Sequence, residues 1–427
     1  MKKVLVVTYY WPPGGGPGVQ RVLKFVKYFP HFGWQPVILT VRNGNYPELD
    51  FSLKQDIPLN CPVYTSRAIE PFSLYKKFTG KKSDEKIPDY VADSRNNFKD
   101  AIARWIRVNL FIPDSRMGWI PFAVREGLKI IKKENIDLIF TSSPPHTVQI
   151  IANRLARKSN KKWVADFRDP WVDTLTYENT GRNALAEWID ARLEKSVLER
   201  ADAVTCVTQQ YVDRFRQRVD TRYYKIFNGY DKDDFTAVSK EVRNKFRIVH
   251  TGSLSETRNI DNLLLALKNL KVEVRKNLEL CFYGFVNQKV KNRIAEWHLN
   301  ELVKLNPYVP HQYAIEQIVN ADVLLLVVHE TAGNKGIIPG KLFEYMATHN
   351  FILALGHKEG EVAQILQETA CGQIFDYQED LTGIITRRYE VWSKKEPFIP
   401  NVEEIQKYSR ENQTSDLVHI FENVLKQ

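Results

Sequence analysis

The sequence predicts an α/β protein made of two doubly wound parallel-sheet domains, and three observations carry that prediction. The chain has 427 residues, more than one core of ordinary size holds. Short apolar, β-rich runs alternate with longer stretches of helical period, the pattern of βαβ units with helices on both faces of a parallel sheet. The alternation occurs twice, and between the two series Asn228, Gly229, Asp231, Asp233 and Asp234 gather as turn residues.

In the first half, strands are expected over 4–8, 36–41, 137–141, 163–166, 203–207 and 225–227, and helices over 19–30, 146–158 and 184–200. In the second half the strands fall at 246–251, 278–283, 322–328, 351–355 and 373–375. The helices between them are expected at 259–270, 288–298, 313–320, 341–349 and 361–368. The stretch 45–122 fits the alternation poorly, being mixed in charge and rich in Pro and aromatic residues, and reads as an insertion with local helices. Domains of 1–230 and 231–427 follow, the last helix packing back on the first. Two facing sheets of this kind leave an interdomain cleft, and such sheets bind ligands outside the carboxyl ends of their strands.

Composition narrows the function. Hydrophobic residues make up 43% and charged residues 26%, which excludes a disordered or fibrous chain. The apolar start after Lys2 and Lys3 is too short for a signal-peptide core, and no apolar run reaches the roughly 18 residues of a spanning helix, so a cytoplasmic chain is expected. Cys61, Cys206, Cys281 and Cys371 lie far apart without a CxxC or a paired His, which argues against a disulfide framework and a zinc site. With 61 basic against 51 acidic side chains the net charge is +10, which favours anionic partners. No nucleic-acid-binding signature accompanies it, and the basic cluster Lys76, Lys77, Lys81 and Lys82 stands beside Gly80, Ser83 and Asp84 in a loop-like segment, so no nucleic-acid partner is expected.

Three segments carry chemistry. After the first strand comes Pro12-Pro13-Gly14-Gly15-Gly16-Pro17-Gly18, then a helix with Gln20 and Arg21; glycines there let backbone N–H groups approach an anion. The spacing is not that of a dinucleotide fingerprint or a P-loop. In the second half, Gly252-Ser253-Leu254-Ser255-Glu256-Thr257-Arg258 follows a strand directly, and Arg258 is expected to hold a diphosphate. The third is Gly336-Ile337-Ile338-Pro339-Gly340-Lys341-Leu342-Phe343-Glu344-Tyr345, opening a helix with Glu344 one turn in, where a carboxylate can accept both hydrogen bonds of a ribose diol.

Together with the turn Asn228-Gly229-Tyr230-Asp231, these segments resemble the retaining glycosyltransferases of family 4, which have the GT-B architecture of two facing Rossmann-like domains. The likeness covers most of the chain. Ile112-Pro113-Asp114-Ser115-Arg116, Ser142-Ser143-Pro144-Pro145-His146 and Asp166-Phe167-Arg168-Asp169-Pro170-Trp171 look like a bacterial branch associated with surface-polysaccharide assembly. The resemblance implies Glu344 on the ribose, Arg258 on the diphosphate, and the backbone of Pro339, Gly340, Lys341 and Leu342 near the phosphates. Gly15, Gly16, Gly252 and Lys335 complete the expected donor-binding set. Two departures stand out: the family's first glutamate would fall at Gly336, and the Arg two residues beyond the strand is Ser253. Glu330, Asn334 or Lys335 are the candidates to replace that carboxylate.

His146, Asp166 and Arg168 are the catalytic candidates. The His146 ring is expected at the cleft mouth, orienting or deprotonating an acceptor hydroxyl, or else on the surface at a helix start. Asp166 and Arg168 share one side of a strand end and read equally as acceptor ligands or as a structural ion pair. Asp114, Arg116 and Asp169 are acceptor-binding candidates. The segment 101–111 spaces Ile102, Trp105, Ile106 and Leu110 on one helical face, which suits either packing or an anionic membrane surface. The expected activity is transfer of a sugar from a nucleotide-diphosphate sugar to a hydroxyl of a lipid-linked glycan, with no metal and no other cofactor. An epimerase-like enzyme of the same architecture and a silent nucleotide-sugar-binding partner are the alternatives.

Overall fold

The computed structural model describes all residues except 47, 70–104, 107, 174–180, 237, 242 and 331–334. The chain divides into two compact units, residues 1–227 with 414–427, and residues 228–413.

In the first unit the elements run β1 (Lys2–Val7), α1 (Pro17–Tyr28), β2 (Trp34–Val41), β3 (Val63–Ser66), α2 (Ile120–Glu134), β4 (Leu138–Ser143), α3 (Thr147–Ser159), β5 (Lys162–Phe167), α4 (Ala184–Arg200), β6 (Ala203–Cys206), α5 (Gln209–Arg216) and β7 (Tyr223–Lys225). Among the described residues they form a parallel sheet in the order β3-β2-β1-β4-β5-β6-β7. Its inner strands are buried on both faces: Val4–Val7 of β1 and all of β4, including Thr141, Ser142 and Ser143, are buried.

The second unit holds β8 (Phe246–Thr251), α6 (Asp261–Asn269), α7 (Val272–Lys276), β9 (Leu278–Tyr283), α8 (Gln288–Glu296), β10 (Val303–Asn306), α9 (His311–Val319), β11 (Val323–Val327), α10 (Lys341–Ala347), β12 (Phe351–Leu355), α11 (Glu361–Thr369), β13 (Gly372–Phe375), α12 (Thr382–Ser393) and α13 (Val402–Gln406). Its sheet is again parallel, in the order β10-β9-β8-β11-β12-β13. The last helix, α14 (Arg410–Leu425), places Leu417, Ile420, Phe421 and Val424 in the first unit's core against Phe29, Trp34 and Phe140.

Both sheets therefore reverse strand order once, between β1 and β4 and between β8 and β11. At such a point the connections leave in opposite directions and a crevice opens outside the carboxyl ends of the strands. The stretch expected as an insertion contributes β3 to the sheet edge and the start of α2. Burial of Ile120, Ala123, Val124, Gly127, Ile130 and Ile131 gives α2 its inward stripe, and Asn135 closes it at φ 54°. Of the segment 101–111, residues 101–104 and 107 lie outside the described residues, as do the Lys76–Lys82 cluster and Asn334; Trp105 and Leu110 are exposed. No helix among the described residues is long and apolar enough to cross a membrane.

Candidate active site

The reversal point of the second sheet gathers cations. Gly252, the first residue after β8, has φ 90°, a left-handed conformation that favours glycine, and a Cβ there would lie 2.8 Å from Lys341 Nζ. The Lys341 ammonium reaches back from the start of α10 to donate to the Thr251 carbonyl, with His250 Nε2 at 3.4 Å. His250 Nδ1 lies 2.8 Å from the Leu325 carbonyl. In the loop after β8, Arg258 donates through Nη1 to the Ser253 carbonyl and through Nη2 to His329 Nε2 at 3.1 Å, while its buried Nε has no partner. His329, two residues beyond β11, has Nδ1 2.6 Å from Thr257 Oγ1. Burial, reinforced by Arg258, lowers Lys341 to about 7, and burial with both cations nearby lowers His329 to about 4. Neither cation has an ion-pair partner among the described residues. Glu344 Oε1 meets His311 Nε2 at 3.0 Å, and that bond with neighbouring cations holds its carboxyl below the usual range despite burial.

The other donor candidates are placed as follows. The Leu342 side chain is fully buried, and its N–H donates to the Pro339 carbonyl. The space beside Gly340 is open. Lys335 pairs at the surface with Glu359, and Glu330 is exposed with its N–H on the Thr257 carbonyl. Gly15 and Gly16 belong to the first unit. The Gly15 N–H donates to the Glu48 carbonyl, and Gly16 caps α1 at φ 88°.

At the carboxyl edge of the first sheet the expectations need correction. Asp166 is fully buried and held by four hydrogen bonds: from Arg21 Nε and Nη2 at 2.9 and 2.7 Å, from Ser142 Oγ at 2.6 Å and from Thr205 Oγ1 at 2.7 Å. Its partner is Arg21, not Arg168, because Arg21 projects inward from α1 and also donates to the Ile226 and Phe227 carbonyls. Arg168 instead binds Ser142 Oγ at 3.0 Å and the Pro144 carbonyl. His146 is 7% exposed and stacks on Trp171, with centroids 4.7 Å apart and planes 7° from parallel. Burial and Arg168 lower it to about 3, so it is a neutral ring and neither a surface group nor a near-neutral base. Its Nδ1 is buried without a partner. Asp114 accepts from Thr147 N and Oγ1 at 2.8 and 2.7 Å and so caps α3, while Arg116 lies over the Tyr9 ring. Both side chains thus have protein partners. Asp169 is exposed at the end of β5, and burial of its surroundings raises its carboxyl.

Two family models match the chain: that described as Glycosyltransferase Family 4 over residues 87–234, and that described as Glycosyl transferases group 1 over residues 231–401. The chain is a family 4-like glycosyltransferase. Solved structures share its GT-B fold. HepE of Anabaena, in complex with UDP, aligns at TM-score 0.63 and 12% identity over 99% of this chain and 100% of that one. The sucrose-phosphate synthase of Thermosynechococcus elongatus aligns at 0.65 and 14% over 100% of both chains. The lipopolysaccharide outer core galactosyltransferase WaaB aligns at 0.58 and 12% over 99% of each. No curated protein matches by sequence.

Sequence reasoning about this glycosyltransferase missed His250, His329, His311 and Arg21. His250 lies inside a strand and is fully buried, where a histidine reads as core. His329 sits just past β11, a position that the strand-end rule marks but no motif does. His311 opens α9, remote in sequence from the carboxylate it contacts.

Proposed function

We propose that this glycosyltransferase moves a sugar from a nucleoside-diphosphate sugar to a hydroxyl of a lipid-linked glycan, with retention of configuration, in surface-polysaccharide assembly. The observation that carries the reading is the pair Arg258 and Lys341, two cations without a carboxylate partner among the described residues where the second sheet reverses order. A leaving diphosphate develops negative charge as the glycosidic bond breaks, and preorganised cations in a partly desolvated site stabilise that charge. In this reading they fill the role a metal ion plays elsewhere, and transfer is metal-independent. Glu344, fixed by His311, accepts hydrogen bonds from the ribose. A uridine nucleotide is favoured by HepE, which is described with UDP and with UDP-glucose, and the name of WaaB favours a surface glycan as acceptor. The net charge of +10 and the exposed Trp105 and Leu110 support peripheral attachment at the inner face of the cytoplasmic membrane.

Calorimetric titration with UDP, GDP, dTDP and CMP, with and without magnesium, tests the reading. Tight binding of one diphosphate that is indifferent to magnesium is expected; binding by none of them would refute it. Product analysis with and without a glycan acceptor separates transfer from epimerisation. Glu344→Ala is expected to weaken nucleotide binding by about 1.5–3 kcal/mol for each hydrogen bond lost, and an unchanged affinity would remove the ribose from Glu344.

A further inference from the structure

Arg258 and Lys341 are each held by an imidazole, where folded proteins ordinarily hold a half-buried cation with a carboxylate. The hydrogen-bond pattern fixes the state of both rings. Arg258 can only donate, so His329 Nε2 accepts and the ring proton sits on Nδ1, donating to Thr257 Oγ1, which in turn lies 3.2 Å from Ser255 Oγ. His250 Nδ1 faces the Leu325 carbonyl, so it too carries its proton there and offers Nε2 to Lys341.

We infer that His329 and His250 are positioning residues: neutral acceptors that aim Arg258 and Lys341 without cancelling their charge, leaving both positive charges to the diphosphate. The inference rests on the diphosphate reading above. A carboxylate in either place would orient the cation equally well but compete with the phosphates for it. Tertiary structure keeps the rings neutral, since protonation would set His⁺ against two cations; burial and those cations both lower His329 and His250. The groups facing Lys341 are consistent with this division of labour. They are His250 from β8, Arg258 from the loop, and Glu344 one turn along α10, the last committed to His311.

The test compares His329→Gln, His329→Ala and His329→Glu by calorimetry with UDP and, as a probe blind to the base, inorganic pyrophosphate. Glutamine restores a neutral acceptor and is expected to keep affinity within about threefold of the parent. Alanine loses the aim and is expected to weaken binding about tenfold, and glutamate more than alanine, because charge-assisted contacts to the phosphates are at stake. Thermal unfolding of all three within a few degrees of the parent separates positioning from folding. Alanine binding as tightly as the parent, or glutamate as tightly as glutamine, would overturn the inference. If the parent chain itself binds neither probe, the diphosphate reading falls first, and its failure is read from the parent alone. His250→Gln supplies a second case through Lys341: the pH dependence of UDP affinity is expected to survive it, and its loss would show that His250 does more than accept a hydrogen bond.

Discussion

The two sheets have the same central order, yet their carboxyl edges treat charge in opposite ways. At the first, Arg21 and Asp166 neutralise one another inside the fold, with Ser142 and Thr205 completing the carboxylate's hydrogen bonds. At the second, Arg258 and Lys341 have imidazoles and carbonyls for partners and no carboxylate among the described residues. One fold position thus holds a neutralised ion pair in one unit and cations without a carboxylate partner among the described residues in the other. What decides is whether a buried carboxylate stands opposite the cation.

The largest expected effect breaks the joint. Asp166→Ala strands the Arg21 guanidinium, which is 0% exposed, and removing one partner of a buried pair costs about 3–5 kcal/mol. Urea unfolding is expected to show a loss of that size; a loss below about 1 kcal/mol would mean the pair is replaceable by water. The matching change in the second unit, Arg258→Ala, relieves repulsion with Lys341 and is expected to leave unfolding unchanged or slightly harder, while UDP affinity falls by about 1.5–3 kcal/mol. A large loss of stability with intact binding would reverse the comparison between the two edges.

A smaller effect sharpens it through pH. Lys341 titrates near 7 in the free protein, against an ordinary 10.5 in the unfolded chain. Between those values the unfolded chain binds more protons than the folded one, so this group makes the ligand-free protein more stable as pH rises from about 7 to 10. Binding runs the other way: a diphosphate beside Nζ favours the charged form, so UDP-sugar affinity is highest below pH 7 and falls above it. Opposite slopes are expected in thermal unfolding and in calorimetry over pH 7–9, and Lys341→Met is expected to flatten both. A parent affinity that does not change over that range would show that Lys341 carries no charge to the ligand.

Much of this was legible in the sequence. Strands β8, β9 and β12 and helix α4 occupy the very spans the apolar runs and helical periods indicated, since long runs such as Phe351-Ile352-Leu353-Ala354-Leu355 leave little choice of state. The edge strands β3 and β10 escaped, being short, half-exposed and interrupted by polar residues. Arg258 stands out in the sequence because its loop follows β8 directly, and Glu344 because Pro339 and Gly340 mark the start of a helix; the Lys341 ammonium carries no such signal. The imidazoles do not stand out, because a hydrogen bond between residues 71 or 91 positions apart leaves no local pattern. Asp166 and Arg168 misled for the related reason that strand alternation gives a side but not a partner.

The smallest effect concerns His146. Stacked on Trp171, whose Nε1 donates to Asp190 at 2.6 Å, it is held as a neutral ring with an acid pKa near 3. A ring held neutral in this way points to hydrogen bonding rather than proton transfer as its part in turnover. Turnover at saturating donor is therefore expected to show no limb between pH 5 and 7 that disappears in His146→Gln, and that variant is expected to bind UDP as the parent does. His146→Phe keeps the stack and removes the nitrogens. If it loses turnover with unfolding and UDP affinity intact, the buried Nδ1 or its neighbour on the ring acts on the substrate; if it turns over like the parent, His146 belongs with Asp166 to the joint of the first unit.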